Sequence, residues 1–398
     1  MNLSVAERYA IEVIAAWNKE RALPALTPEL APSVLEELRS QTVLASLADS
    51  LLEAGLPDRD AEECLKEVGA VLNTWFRVMM CQDEVLGLLR EGGVKVAVLK
   101  GAAAAMYYPE PERRYLGDID LIVGPNDFAA AAKAMLENGW SELPPCEKDP
   151  RHVCFTKEGC PEVELHHRFS TGQYGVQDEY LDRVIVGALK HVQVVEVGGF
   201  QVPMLPMLEN GLVLLAHARQ HLSVGIGLRQ VLDWMFFVEN ELDEALWEEG
   251  FEQAAVSTGM KPLVVALTLM CKRNLGLKRD VPWCEAFEAS LSDELLEYVM
   301  SKGNMGHKVN NEKRASLKII HGLSHPVRVV KMLHSCGCAR INPTQDQRVS
   351  AISAVFNGAA FYLQKSLSHG VSLKSLREES GAGSKEMRLF EQLGVTRL

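Results

Sequence analysis

Apolar and polar positions follow three patterns in turn along the chain. From residue 1 to about 92 the apolar residues recur at spacings of three and four: Ile11, Ile14 and Ala15, then Leu35, Leu38, Val43, Leu44, Leu47, Leu51 and Leu52. That is the period of helices with one buried face. Pro24 and Pro32 interrupt the early part, and Gly55-Leu-Pro57 marks a turn. A long helix is predicted from about Arg59 to Leu89. Cys64, Val68, Val71, Leu72, Trp75, Val78 and Met79 would lie on its inner side, with Gly92-Gly93 at its end.

From residue 94 to about 203 the pattern changes to α/β. Lys95-Val-Ala-Val-Leu-Lys100 predicts a strand, and Gly101 opens a small-residue helix from Ala102 to Tyr108. In Gly117-Asp-Ile-Asp-Leu-Ile-Val123 the apolar Ile119, Leu121 and Val123 alternate with Asp118 and Asp120. This predicts a half-buried strand with both carboxylates on one face. Asn126 is placed to cap a helix over Asp127–Asn138. His152–Phe155 and Glu162–Phe169 predict a strand pair, and Val192–Val197 with Phe200–Leu205 predict a hairpin around Gly198-Gly199. Helical spacing returns from residue 206 to about 365, beginning with one helix from Met207 to Glu239. The predicted division is 1–92 helical, 93–205 core, 206–365 helical and 366–398 a polar tail.

The chemistry concentrates in the middle segment. Carboxylates two apart on a strand repel, and a divalent cation commonly offsets that cost. Two such cations about 3.5–4 Å apart can polarise a phosphate and activate a hydroxyl. Glu164 shares a face with Glu162 and His166 and is the expected third carboxylate. The plain alternative is a turn-capping Asp118 and solvated Asp120 and Glu164. Lys100 stands where strand gives way to helix and could meet a phosphate as a point charge. Gly101 would let backbone amides approach it. Arg114 could hold a phosphate oxygen or brace a ligand carboxylate, and an exposed loop arginine is the competing reading.

Other pairs carry weaker signals. His217 and His221 stand at i and i+4, but Ala218 occupies the position where a zinc-protease motif needs glutamate. Arg229 and Asp233, also i and i+4, either pair on a surface or line a cleft facing the core. His152, Cys154 and Cys160, like His334, Cys336 and Cys338, lack the paired Cys-x-x-Cys knuckles of a structural zinc site.

Composition narrows the classes. The 398 residues allow two or three domains, with 47% hydrophobic and 24% charged residues. A formal net charge of −12 argues against non-specific nucleic-acid binding, although 301–340 is locally basic. The nine cysteines show no framework spacing and read as reduced, which points to a cytoplasmic protein. No signal peptide or membrane span is evident.

Leu99-Lys-Gly101, Tyr108-Pro-Glu-Pro-Glu-Arg-Arg114, Gly117–Val123 and Glu164-Leu-His166 resemble the uncharacterised nucleotidyltransferase family of the polymerase-β-like superfamily. Leu215-Ala-His-Ala-Arg-Gln-His221 and Arg229-Gln-Val-Leu-Asp233 resemble its helical half. The resemblance spans roughly residues 35 to 240. It implies an α+β fold, with a polymerase-β-like mixed-sheet core and packed helices flanked by helical regions. It also implies Mg²⁺- or Mn²⁺-dependent transfer of a nucleotide from NTP with release of pyrophosphate. Asp118, Asp120 and Glu164 would hold the metals, and Lys100, Gly101 and Arg114 would meet the nucleotide. His166, His217, Arg229 and Asp233 would lie behind the site or toward the acceptor.

One departure is Gly101-Ala102 where the superfamily commonly has Gly-Ser or Gly-Gly. The expected acceptor is a small molecule or a protein side chain. The alternative is a catalytically weak or inactive nucleotide-binding, regulatory protein on the same scaffold.

Overall fold

The structure is a computed structural model that describes residues 2–23, 25–143, 151–222, 224–285, 287–309 and 373–395. The basic residues beyond 309 and the His334, Cys336 and Cys338 group lie outside the described residues.

Four helices come first: α1 (Val5–Asn18), α2 (Ala31–Ser40), α3 (Leu44–Glu53) and α4 (Asp58–Glu91). Ser4 and Glu7 form a reciprocal capping box at the start of α1. In α4, Asp58 and Asp60 sit in the first turn, where the helix dipole favours negative charge. Its inner stripe runs from Cys64 through Trp75 and Val78 to Leu89, as the helical spacing predicts.

The middle segment runs β1 (Val96–Leu99), α5 (Gly101–Ala105), β2 (Ile119–Val123), α6 (Phe128–Glu137), β3 (Ser141–Glu142), β4 (His152–Thr156), β5 (Val163–His166), α7 (Val176–Ala188), β6 (Gln193–Val197) and β7 (Phe200–Met204). These strands form one mixed sheet in the order β3-β4-β5-β2-β1-β7-β6. β1–β2, β3–β4, β4–β5 and β6–β7 are antiparallel, whereas β2–β5 and β1–β7 are parallel. The hairpin β6–β7 turns through Gly198 and Gly199, both at positive φ, and Val197 pairs with Phe200. A Cβ on Gly198 would stand 2.3 Å from the ring of Trp75, so glycine there also lets α4 pack on the hairpin.

One sheet face packs Val96, Val98, Ile119, Leu121, Val123, Val163 and Leu165 against Val78, Val85 and Leu89 of α4 and Ala131 and Met135 of α6. The strand over 119–123 is buried throughout, not half-buried as its alternation predicts. On its polar face Asp120 is enclosed with Lys100 and His166, a tertiary fact that alternation does not encode.

Three further expectations are corrected. The single helix over Met207–Glu239 is two helices, α8 (Met207–Leu222) and α9 (Leu228–Asn240). The break contains Gly225 at φ +133° and Gly227. A Cβ at either would stand 2.6 Å from backbone atoms of Gly306 or Asn304. A second correction concerns the cysteines: Cys81 of α4 and Cys160 of the β4–β5 turn form a disulfide, Cα to Cα 5.9 Å, across 79 residues. Lys157 of the same turn reaches Glu84 of α4 at 2.6 Å. The predicted helix after Gly101 is also shorter, ending at Ala105.

Residues 1–306 with 393–398 form one compact unit, and 307–392 a second containing the helix Leu373–Gln392. In the first unit, helices Lys261–Met270 and Ala289–Lys302 follow α9. Among the described residues no single helix is long and apolar enough to cross a membrane.

Candidate active site

Leu99, the last residue of β1, pairs with Asp120 of β2. The chain then turns sharply: Lys100 has φ +54° and Gly101 φ +38°. A lysine in that region costs on the order of 1–3 kcal/mol unless its surroundings hold it. Here its ammonium lies 2.8 Å from Asp120 Oδ1, and both side chains are largely buried. Burial works against the Lys100 charge, but Asp120 and Asp118 outweigh it, and the pKa is raised. A Cβ on Gly101 would meet no atom within 4 Å, so the backbone borders open space there.

Register then assembles the polar face. Asp120 pairs with Glu164 across β2–β5, and Glu164 with Cys154 across β4–β5. Two pairs further along, Ile122 meets His166 and His166 meets His152. His166 Nε2 donates to both Asp120 Oδ1 and Glu164 Oε2, each at 3.2 Å. Ligand atoms of Asp120, Glu164 and His166 lie within 4.8 Å of one another. Asp118 is not among them; it faces solvent at the mouth of the same face.

The two aspartates are driven apart electrostatically. Asp118 is exposed, but partial desolvation beside the cluster raises its pKa, and the Asp120 charge adds to it. Burial opposes the Asp120 charge as well, but Lys100 and the His166 hydrogen bond hold its carboxyl well below the usual carboxylate range. For His166, burial acts against the proton, yet its bonds to Asp120 and Glu164 prevail and raise its pKa.

α8 and α9 supply groups facing this sheet. Asn210 of α8 donates to Ala103 O of α5 at 3.3 Å and to the Tyr107 hydroxyl at 2.9 Å. Further along α8, the His217 and His221 rings stand edge to face 4.4 Å apart. Burial, and then the Lys100 charge, lower both pKa values, that of His221 to about 4. Both imidazoles are therefore neutral near pH 7. Side chains cap α9: Gly227 N donates to Gln230 Oε1 and Leu228 N to Gln41 Oε1, each at 3.0 Å.

Arg114 and Asp233 are each other's partners. Arg114 is buried and meets Asp233 of α9 through Nε–Oδ1 and Nη2–Oδ2, both 2.7 Å. The Tyr108 hydroxyl donates to Asp233 Oδ1 at 2.8 Å. Arg114 is thus committed to a carboxylate of the fold and braces the segment leading to Asp118. Asp233 pairs with Arg114, not with Arg229 one turn away. Arg229 donates to Tyr115 O at 3.4 Å, and its buried Nε has no hydrogen-bond partner among the described residues.

Tyr108 opens the Tyr108–Arg114 stretch, but the sequence assigns it no site role. Its neighbourhood, Met106-Tyr-Tyr-Pro109, reads as a helix end, and nothing local signals a partner 125 residues away. Ala102, the departure from the Gly-Ser pattern, is 1% exposed and packs in the core under the sheet. Its side chain faces packing atoms, so a small apolar residue suits the position.

Residues 28–276 match the model of a family described as an uncharacterised nucleotidyltransferase. That span covers more than half of the chain and contains the whole sheet, α8 and α9. No curated protein matches the chain.

Proposed function

The chain belongs to this nucleotidyltransferase family, and we propose that it moves a nucleoside monophosphate from an NTP to a small-molecule or protein acceptor, releasing pyrophosphate. The observation that carries this reading is the register pairing of Asp120 with Glu164 beside the strained Lys100–Gly101 turn. The donor set fits a hard divalent cation, because Asp120, Glu164 and the nearby Asp118 offer carboxylate oxygens. Bound there, Mg²⁺ or Mn²⁺ would neutralise triphosphate charge and polarise the α-phosphate.

The protein's own groups then have distinct tasks. Lys100 can leave Asp120 for a β- or γ-phosphate without losing an ionic partner. The open space at Gly101 admits phosphate oxygens next to the backbone. His166, bonded to both Asp120 and Glu164, fixes their rotamers. Glu164, less buried than Asp120, orients the acceptor hydroxyl. The neutral His217 and His221, with Arg229, form the wall that an acceptor or nucleoside would meet. Arg114 acts at a distance, holding the Asp118 segment through Asp233.

Incubation with each NTP and Mg²⁺, read by pyrophosphate release and by mass spectrometry of a whole-cell small-molecule extract added as acceptor, tests this. Nucleotide-dependent pyrophosphate that disappears in Asp118→Asn supports it. Pyrophosphate release unchanged in Asp118→Asn contradicts it.

A second reading is favoured by one observation: Lys100 already occupies the position beside Asp120 that a cation would take. If it stays there, the protein binds nucleotide as a regulatory device without turnover. Saturable NTP binding with no pyrophosphate release under any metal would select that reading.

A further inference from the structure

We propose a second metal site, distinct from the carboxylate set of Asp118, Asp120 and Glu164 although it shares Glu164, in which His152, Cys154 and Glu164 bind a zinc-like divalent ion. His152 and Cys154 are two apart on β4 and so share a face, and Glu164 lies directly across on β5. Ligand atoms of the three residues lie within 4.8 Å of one another. Zinc bonds of about 2.0–2.3 Å place neighbouring ligands roughly 3.3–3.8 Å apart. Closing the difference takes side-chain rotation and no strand movement. Each residue is half-buried, which leaves solvent a route for ion entry and a water for the fourth position.

Glu164 is oriented for two partners at once. Its Oε1 lies 3.6 Å from His152 Nε2, and its Oε2 lies 3.2 Å from His166 Nε2 on the Asp120 side. The carboxylate therefore stands between two donor sets of different character. Toward Asp120 the further acidic ligands are oxygens, which suit Mg²⁺. Toward β4 they are an imidazole nitrogen and a thiol sulfur, which suit zinc and discriminate against Mg²⁺. Cys160, which the sequence groups with His152 and Cys154, is bonded to Cys81 and is not a ligand. Binding releases the Cys154 thiol proton to solvent as the thiolate forms the metal bond, and His152 binds through neutral Nε2.

The site stands on geometry alone. Only its consequence rests on the transfer reading: bound zinc would hold Glu164 toward β4 and slow Mg²⁺-dependent turnover.

The test uses full-length, metal-stripped protein without nucleotide, titrated with Zn²⁺ and separately with Co²⁺ in excess Mg²⁺. One equivalent of Zn²⁺ should bind with proton release, undisplaced by Mg²⁺. Co²⁺ should give a thiolate charge-transfer band in the near ultraviolet. Cys154→Ser should abolish that band, and both Cys154→Ser and His152→Gln should weaken Zn²⁺ binding by roughly tenfold or more. Far-ultraviolet circular dichroism checks that each variant folds. Absence of a band in wild type, or a Zn²⁺ affinity unchanged in both variants, overturns the site. Because no nucleotide is present, loss of the transfer reading leaves this result untouched, and the reverse also holds.

Discussion

Lys100 Nζ lies 2.8 Å from Asp120 Oδ1, with the lysine side chain 16% and the aspartate 4% exposed. The pair joins a strained strand end to the second residue of the next strand. Each charge is tolerated because the other is present. Replacing Lys100 with methionine should cost up to about 3–5 kcal/mol, since it leaves the buried Asp120 carboxylate with His166 as its remaining side-chain partner. If a cation takes the vacated place, Mg²⁺ should restore more stability to the variant than to wild type. Thermal unfolding of both proteins with and without Mg²⁺ measures this. Equal Mg²⁺ shifts would mean that Asp120 does not bind the ion.

The Arg114–Asp233 bridge makes a separate structural prediction. Asp233→Asn should destabilise by about 3–5 kcal/mol, because Arg114 loses its partner while remaining buried. The double change Arg114→Met, Asp233→Leu should recover much of that loss. Urea unfolding of the single and double variants gives the coupling. A double variant as unstable as the sum of two singles would refute the bridge.

Stability should depend on acid through His217 and His221. An unperturbed histidine titrates near about 6.5, and burial brings His221 down to about 4. Between those values the unfolded chain binds more protons than the folded one, so stability falls as pH drops through this window and is level above it. For His221 alone the loss from about pH 7 to about pH 5 is up to about 2 kcal/mol. Urea midpoints across that range should flatten in His221→Gln. A slope identical to wild type would show that the imidazole is not held neutral by the fold.

Ala102 supplies a prediction opposite to the family pattern. Because its methyl is buried, Ala102→Ser would bury a hydroxyl and cost about 1–2 kcal/mol. It should not strengthen NTP binding. Tighter binding in the serine variant would mean that position 102 faces phosphate after all.

The periodicity carried a large part of this fold because its signals are local. The Asp118–Val123 alternation, the glycine pair of the β6–β7 hairpin and the inner stripe of α4 each depend on neighbours in sequence. What was not legible comes from residues far apart. Arg114 reaches Asp233 across 119 positions. The break between α8 and α9 follows the close approach of Gly225 and Gly227 to residues 304–306, about 80 positions later. Cys81 and Cys160 had no framework spacing to announce them. The depth of Asp120 also escaped local reading, since alternation gives the face a residue takes but not what covers that face.

The central claim is that the carboxylates beside Lys100 and Gly101 form a metal–triphosphate site. Asp118→Asn is the cleanest probe, because Asp118 faces solvent and is not in the Lys100 ion pair that Asp120 needs. The decisive measurement is isothermal titration of the four NTPs into wild type and Asp118→Asn, with and without Mg²⁺. The account predicts NTP binding that requires Mg²⁺ and is lost or strongly weakened in the variant. Binding indifferent to both metal and Asp118 would contradict it and leave the carboxylates as parts of the fold.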